Sequence, residues 1–321
     1  MTTVLLALGL IAGIGSILRA LIPDLDVDQA RRTIGTLVLN VFLPALVFRV
    51  IYTAQLGAEA VQIPIVLLLS VLVCLVVAIA ALRLCRLSPQ EQGALVLASA
   101  FGNVTYLGLP VLQGLYPLLP LQVAKVAILA EITTTPLNLS LGTALGRGFN
   151  QPAAPPTAAP AGPGIGATAL QVTGQVGTEM LRLPALWAVL IAVLWRLSGL
   201  PVPAFLLQAT QVLGNTVTGL MMLSLGMGLR YRPIRRPLPL LLASAIKLLL
   251  SPLLVFALAR WIGVQAPYLE PLVLEGAMPS QLLTFVIADR AGLDAERLAL
   301  CILINTAACF FTIPLIHALL F

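Results

Sequence analysis

Three charges sit where a membrane tolerates charge least. Glu131, Lys247 and Glu275 each fall deep inside a long apolar run. An ionisable side chain within a spanning segment is expensive, and its default meaning is functional: an ion or substrate path, a proton relay or a paired charge. Glu275 precedes Pro279 by four residues in PLVLEGAMPSQLLTFVIADR, residues 271–290. There it could hold a coupling cation, bind and release a proton, or be a carboxylate satisfied by loosened backbone. Glu131 stands three, four and seven residues before Thr134, Thr135 and Asn138, the spacing of one helix face. That face could line a pathway or join helices through hydrogen bonds. Lys247 could pair with a carboxylate or with backbone carbonyls, and a structural role suits it better than a substrate contact.

Neutral polar residues gather at two interruptions. In ALVLASAFGNVTYLGLPVL, residues 94–112, Gly102, Asn103, Gly108 and Pro110 fall within nine residues. Glycine is flexible and Pro110 cannot donate to a helical ladder. In hydrocarbon an unpaired backbone group costs several kcal/mol, so a broken helix survives only inside protein or beside a polar cavity. Aligning Leu95-Val96-Leu97 with Leu272-Val273-Leu274 sets Gly102-Asn103 on Pro279-Ser280. Downstream, Thr134-x-Pro136-Leu137 answers Thr312-x-Pro314-Leu315 at nearly the same offset. Paired interruptions in two halves are the best sequence-level pointer to a transporter binding site. A helix restarting after a break directs free N–H groups and a positive dipole end into the gap, while freed carbonyls suit a cation. Asn103, Thr105, Tyr106, Ser280, Gln281 and Thr284 add neutral hydrogen-bonding side chains, although Tyr106 could equally be a packing aromatic. Such a site fits a small organic anion without many formal charges.

The elements that must position these residues follow from composition. Hydrophobic residues make up 60% of the 321-residue chain and charged residues 9%. Soluble domains carry about 25% charge, so this is an integral membrane protein. Spans of about 20 residues can be placed ten times, the fourth (about 91–115) and ninth (about 267–290) being the interrupted ones. A Pro/Ala/Gly-rich stretch over 147–181 reads as a flexible linker. It divides a first five-helix repeat, 1–146, from a second, 182–321. Arginines alternate by loop: Arg31 and Arg32, Arg83 and Arg86, Arg147 and Arg182, Arg230 to Arg236, and Arg290 and Arg297 share one side. The positive-inside bias then sets both termini outside and the linker in the cytoplasm. Five spans per repeat is odd, so the second repeat is inverted relative to the first.

Several classes are excluded. The net charge of +6 is spread over short loops rather than a face, against nucleic-acid binding. The four cysteines lie in or beside apolar spans without metal-ligand spacing, and His317 is the one histidine, so neither a metal site nor a catalytic residue is expected. There is no GxxxxGK loop for nucleotide. The first apolar run lacks a cleavage pattern and reads as a retained helix.

FGNVTYLGLPV (101–111), with LNVFLPALVF (39–48), IKLLLSPLL (246–254) and EGAMPSQLLTFVIADRAGLDAERLA (275–299), resembles the auxin efflux carrier family, the PIN-like carriers, whose bacterial members include malonate or dicarboxylate permeases. The resemblance covers nearly all of the chain except the linker. It implies an all-α membrane fold of two inverted five-helix repeats with crossing broken helices 4 and 9, similar to bile acid–sodium symporters. It also implies an elevator-like motion of a transport domain against a scaffold. The crossover residues here would be Gly102, Asn103, Pro110, Pro279 and Ser280. Plant members carry Asn-Pro at both crossovers, whereas this chain reads Gly-Asn and Pro-Ser.

The expected function is secondary transport of a small organic anion, a carboxylate or auxin-like weak acid, driven by a proton or sodium gradient or by membrane potential; a passive channel is the alternative. Substrate contacts are expected at Gly102, Asn103, Thr105, Tyr106, Pro110, Pro279, Ser280, Gln281 and Thr284, and coupling of Na+ or H+ at Glu275, Glu131, Asn138 and Asn305. No other cofactor is expected. Expected partners are the anion, the bilayer of the plasma (inner) membrane and, as an open option, a second copy of the chain. Single cysteines in a cysteine-less background test the topology: one in the linker should resist an impermeant thiol reagent added to intact cells, and labelling there from outside would reverse the orientation.

Overall fold

The computed structural model describes residues 2–22, 26–53, 57–149, 184–228 and 236–321. The expected linker lies outside the described residues except for 147–149, which continue a helix. Arg182, Arg230, Arg232 and Arg235 lie outside them too. Regular structure among the described residues is helical throughout, as an apolar environment requires, because a helix pairs nearly all of its own backbone.

The chain runs through α1 (Thr2–Leu21), α2 (Val27–Leu37), α3 (Leu43–Thr53), α4 (Glu59–Arg83) and α5 (Pro89–Ala100). It continues through α6 (Leu109–Leu115), α7 (Pro120–Leu137), α8 (Thr143–Phe149), α9 (Pro184–Leu197) and α10 (Ala204–Gly228). The last five are α11 (Pro237–Ala245), α12 (Ser251–Ile262), α13 (Leu269–Gly276), α14 (Leu283–Arg290) and α15 (Ala295–Leu320). Among the described residues, four continuous helical stretches are long and apolar enough to cross a membrane: Gln29–Thr53, Glu59–Arg83, Pro237–Ile262 and Ala295–Leu320.

Several of these elements are one rod widened by a π-turn. Such turns occupy Val38–Phe42, Val104–Gly108, Asn138–Gly142 and Ile246–Leu250. Three of them have a proline two residues past their end: Pro44, Pro110 and Pro252. The residue before each proline donates its N–H five residues back, Leu43 to Val38, Leu109 to Val104 and Ser251 to Ile246. Proline lacks an N–H, and its ring crowds the carbonyl four residues earlier. A turn with one extra residue makes room for the ring without ending the helix. This corrects the expected extent of the first break. Gly108 and Pro110 are absorbed into helix, and the chain leaves helical geometry only at Phe101 to Asn103.

The second interruption spans Ala277 to Leu282, between α13 and α14. The two meet as a single antiparallel bridge between Gly102 and Ser280. Asn103 N–H donates to the Pro279 carbonyl (2.7 Å) and Gln281 N–H to the Phe101 carbonyl (2.9 Å). The backbone groups that each break frees are therefore paired by the other.

Packing divides the helices into two groups that draw on both halves of the sequence. α1, α2 and α3 pack chiefly with α9 and α10. α4 to α8 pack with α11 to α15, around Leu95, Leu97, Phe101, Ala243, Ala288 and Cys301 among others. The second group is pinned at one end. Ser88 and Glu91 form a reciprocal cap on α5, Asp294 caps α15 through Arg297 N–H (2.8 Å), and Arg297 pairs with Glu91.

In the first group α1 and α10 approach backbone to backbone. A methyl group at Gly226 would overlap the Ala12 carbonyl, and one at Gly15 the Leu223 carbonyl. Small residues permit such contact, and in lipid it is close packing that holds helices together. Gly226→Ala should therefore force the pair apart and destabilise by about 1–3 kcal/mol, the usual range for overpacking. Gly219, on the same helix, has open space around it, so Gly219→Ala should be neutral or slightly stabilising. Thermal unfolding of the purified protein decides, and equal melting of the two variants would refute this contact.

Candidate functional site: the crossing of two broken helices

Gly102, Asn103, Pro279 and Ser280 form the crossing itself and are buried. Asn103 caps the helix that restarts after the first break: its Oδ1 accepts the Tyr106 N–H (3.2 Å), and its carbonyl accepts the Gly108 N–H (3.0 Å). This is ordinary N-capping by asparagine. The Asn103 Nδ2 amide is buried at the crossing with no hydrogen-bond partner. It is a donor held ready by a side chain whose other end is already fixed.

Ser280 stands at the matching point but is used differently. Its Oγ donates to the Ala98 carbonyl (2.6 Å) and accepts from Asn305 Nδ2 (2.7 Å). Asn305 thus ties α15 to the crossing, and its Oδ1 is without a partner. Thr284 Oγ1 donates to the Gln281 carbonyl (2.5 Å) and closes the turn that starts α14. Ser280 and Thr284 are consumed by structure, whereas Asn103 keeps a free donor.

A hydrogen-bonded chain leaves the crossing sideways. Asn138 Nδ2 donates to Gln281 Oε1 (2.7 Å), Gln281 Nε2 to Thr135 Oγ1 (3.0 Å), and Thr135 Oγ1 to Glu131 Oε1 (2.7 Å). Thr105 Oγ1 donates to the other Glu131 oxygen. The chain joins α7 and its π-turn to both interruptions. Thr134, on the expected polar face, instead bonds back to the Ala130 carbonyl (2.8 Å). Beyond Glu131 lies a cavity of about 240 Å³ between the packing groups, lined by Leu39, Asn40, Leu43, Glu131, Ile132 and Pro184–Leu186. Tyr106 is half-buried with its ring packed in the apolar cluster around Phe48 and Val217. Pro110 lies past the π-turn in α6, away from this polar set; its place follows from the turn it imposes.

Of the three charges expected at membrane depth, two have hydrogen-bond partners and one has none. Glu131 has two hydroxyl donors. Lys247 donates to the Gly276 carbonyl (2.8 Å) and Ser251 Oγ (3.1 Å). Glu275 is 1% exposed, and neither carboxylate oxygen has a hydrogen-bond partner. Its carboxyl group rests against Gly108, where any side chain would overlap it. A fourth deep charge was not anticipated. Lys125 is 3% exposed and donates to Glu59 Oε1 (2.8 Å) and the Tyr268 hydroxyl (3.0 Å). Glu59 is distant in sequence, and no local pattern around either residue announces the pair. Among the described residues no cluster of His, Cys, Asp or Glu could hold a metal ion.

Residues 4–317 match the family model described as "Membrane transport protein". An uncharacterized transporter of Methanothermobacter thermautotrophicus is 27% identical over 298 residues, covering 90% of this chain and 88% of that protein. An uncharacterized transporter of Methanocaldococcus jannaschii is 25% identical over 299 residues, covering 90% and 89%. With its motifs, its apolar helices and a family match along almost its full length, this chain belongs to the membrane transport protein family, the auxin efflux carrier-like family, and is an integral membrane transporter and not an enzyme.

Proposed function

We propose that this transporter is a secondary carrier of a small organic anion, a carboxylate or auxin-like weak acid, working by elevator-type alternating access. The observation that carries the reading is the unpartnered Asn103 amide at the meeting point of the two broken helices. A carboxylate arriving there would find a fixed side-chain donor and the positive end of the helix that restarts at Val104. Backbone groups in such a site are already oriented, so little reorganisation accompanies binding.

The fold reading is ten spans in two inverted repeats joined by a cytoplasmic linker, with both termini outside the plasma (inner) membrane. Its support is the register of the crossing. The alignment that matches Gly102-Asn103 to Pro279-Ser280 turns the Gly102–Ser280 pair into the Asn103–Pro279 pair, as a two-fold axis would. The two packing groups support the elevator reading. The group holding the crossing would carry substrate, and the group of α1, α2, α3, α9 and α10 would be the scaffold. The cavity beside Glu131 lies at the boundary between them.

Glu275 is the proposed coupling residue, because it is a buried carboxylate lacking any donor in a protein that satisfies its other deep charges. A proton or a cation would supply what is missing. Proteoliposome uptake of a panel of mono- and dicarboxylates, with proton and sodium gradients imposed separately, tests the reading as a whole. Saturable, gradient-driven uptake is expected; flux without saturation would indicate a channel.

Three variants refine it. Asn103→Asp keeps a cap for the Tyr106 N–H but replaces the free donor with an acceptor. Ligand-dependent thermal stabilisation should show affinity reduced by at least tenfold, in line with about 1.5–3 kcal/mol for a hydrogen bond to a charged group. Ser280→Ala should act mainly on the fold, lowering the melting temperature because Asn305 loses a partner, with a smaller change in affinity. Equal affinity in Asn103→Asp and parent would move the anion site elsewhere. Glu275→Gln should fold, bind ligand and lose its response to the driving gradient; an unaltered gradient response would leave Glu275 with a packing role.

A further inference from the structure

The end of the first half-helix of the second interruption is built like a cation site. α13 stops at Gly276, and the carbonyls of a helix's last turn lack partners within the helix and carry its negative end. In carriers with interrupted helices, such carbonyls coordinate the coupling cation. Here the Gly276 carbonyl is approached by two side chains from the rod 237–262: Lys247 Nζ at 2.8 Å and Ser251 Oγ at 3.0 Å. Lys247 Nζ also donates to Ser251 Oγ at 3.1 Å, which closes a triangle of carbonyl, hydroxyl and ammonium. Lys247 is 2% exposed.

The ammonium reaches the crossing itself. A methyl group added at Gly102 would stand 3.3 Å from Lys247 Nζ and 3.8 Å from the Glu275 carbonyl. The first break has no side chain at the point where the lysine arrives. Glu275, Cys74 and Ser70 complete the surroundings: the Glu275 backbone carbonyl faces the same point of Gly102 as the lysine, and Cys74 and Ser70, both on α4, lie near Ser251. The alignment of the two halves sets Ser70 on Lys247 and Cys74 on Ser251, so the first half offers small polar groups where the second sends a charge.

We propose that the Lys247 ammonium is a tethered cation occupying the monovalent-cation position at the end of α13, so that this carrier needs no sodium there. The position is formed by the Gly276 carbonyl and Ser251 Oγ. A sodium ion would require the same oxygen atoms, and an ammonium fixed to the helix excludes it by charge and by volume. The inference rests on the crossing being the working centre of the carrier, and it removes sodium from one of the two positions where a coupling cation could sit.

The test is melting of the purified protein in sodium chloride, ethylammonium chloride and choline chloride at equal ionic strength, which needs no knowledge of the substrate. The parent should melt within about 1 °C in all three. Lys247→Ala should melt several degrees lower in choline and recover saturably with millimolar sodium or ethylammonium. Lys247→Met, which retains the stem, provides the same comparison where the alanine variant does not fold. In liposomes that support uptake, parent flux should be unaltered when choline replaces sodium, whereas variant flux should fall at least threefold. Sodium-dependent melting of the parent overturns the proposal whatever the variants do, and so does a lysine variant that melts equally in the three salts. If none of the carboxylate panel is taken up, the transport reading fails while the melting comparison still decides the role of Lys247.

Discussion

The structure depends on one constraint: backbone amides and carbonyls removed from water must find partners. Two helices that break inside an apolar bundle each expose several such groups. Each break here supplies what the other lacks, through the bonds of Asn103 to Pro279 and of Gln281 to Phe101. Neither interruption would be tolerable alone. Because the bonds are mutual, they fix the relative position of α5, α6, α13 and α14, and side chains from other elements are then recruited to the junction. Ser280 is held by Ala98 and Asn305, Asn138 reaches Gln281, and Lys247 reaches Gly276.

The same constraint explains how the protein handles charge. Lys125 is paired with Glu59, Glu131 is held by two hydroxyl groups, and Lys247 lies on a helix-terminal carbonyl and a hydroxyl. Removing one partner from such a buried arrangement leaves the other uncompensated, which is more damaging than never burying the pair. Glu275 departs from the rule, with no donor on either oxygen. Asn103 departs from it with a buried amide that donates to nothing. Native structures leave few buried polar groups unsatisfied, and here the Glu275 carboxylate, the Asn103 amide and the side-chain oxygens of Asn138 and Asn305 gather around one crossing, where this chain gives up stability. Sites that bind and release a ligand are where such a sacrifice is expected.

Proline has two roles that residue identity does not separate. Pro279 sits in a true interruption, where its carbonyl becomes an acceptor for the other helix. Pro44, Pro110 and Pro252 sit just past π-turns in helices that continue. The difference lies in what surrounds the preceding turn. Where the backbone can bond five residues back, the ring is accommodated; where the opposing break offers partners, the helix opens.

The sequence by itself determined the membrane class, the two interruptions, their matched register and the deep charges Glu131, Lys247 and Glu275. These are local properties: apolar run length, glycine and proline placement, and the rarity of charge in a spanning segment. The pairing of Lys125, a further charge in an apolar run, was not legible, because its partner Glu59 lies on another helix. Which polar groups are consumed by structure was not legible either. Asn103 and Ser280 look equivalent along the chain, yet Ser280 finds Ala98 and Asn305 while the Asn103 amide finds nothing. Likewise the carbonyl of Gly276, invisible to any side-chain pattern, became the seat of Lys247. Only the tertiary structure decided these matters, because hydrogen-bond satisfaction at a crossing depends on groups more than 100 residues apart, as with Ser280 and Ala98, and no local spacing encodes which of them meet.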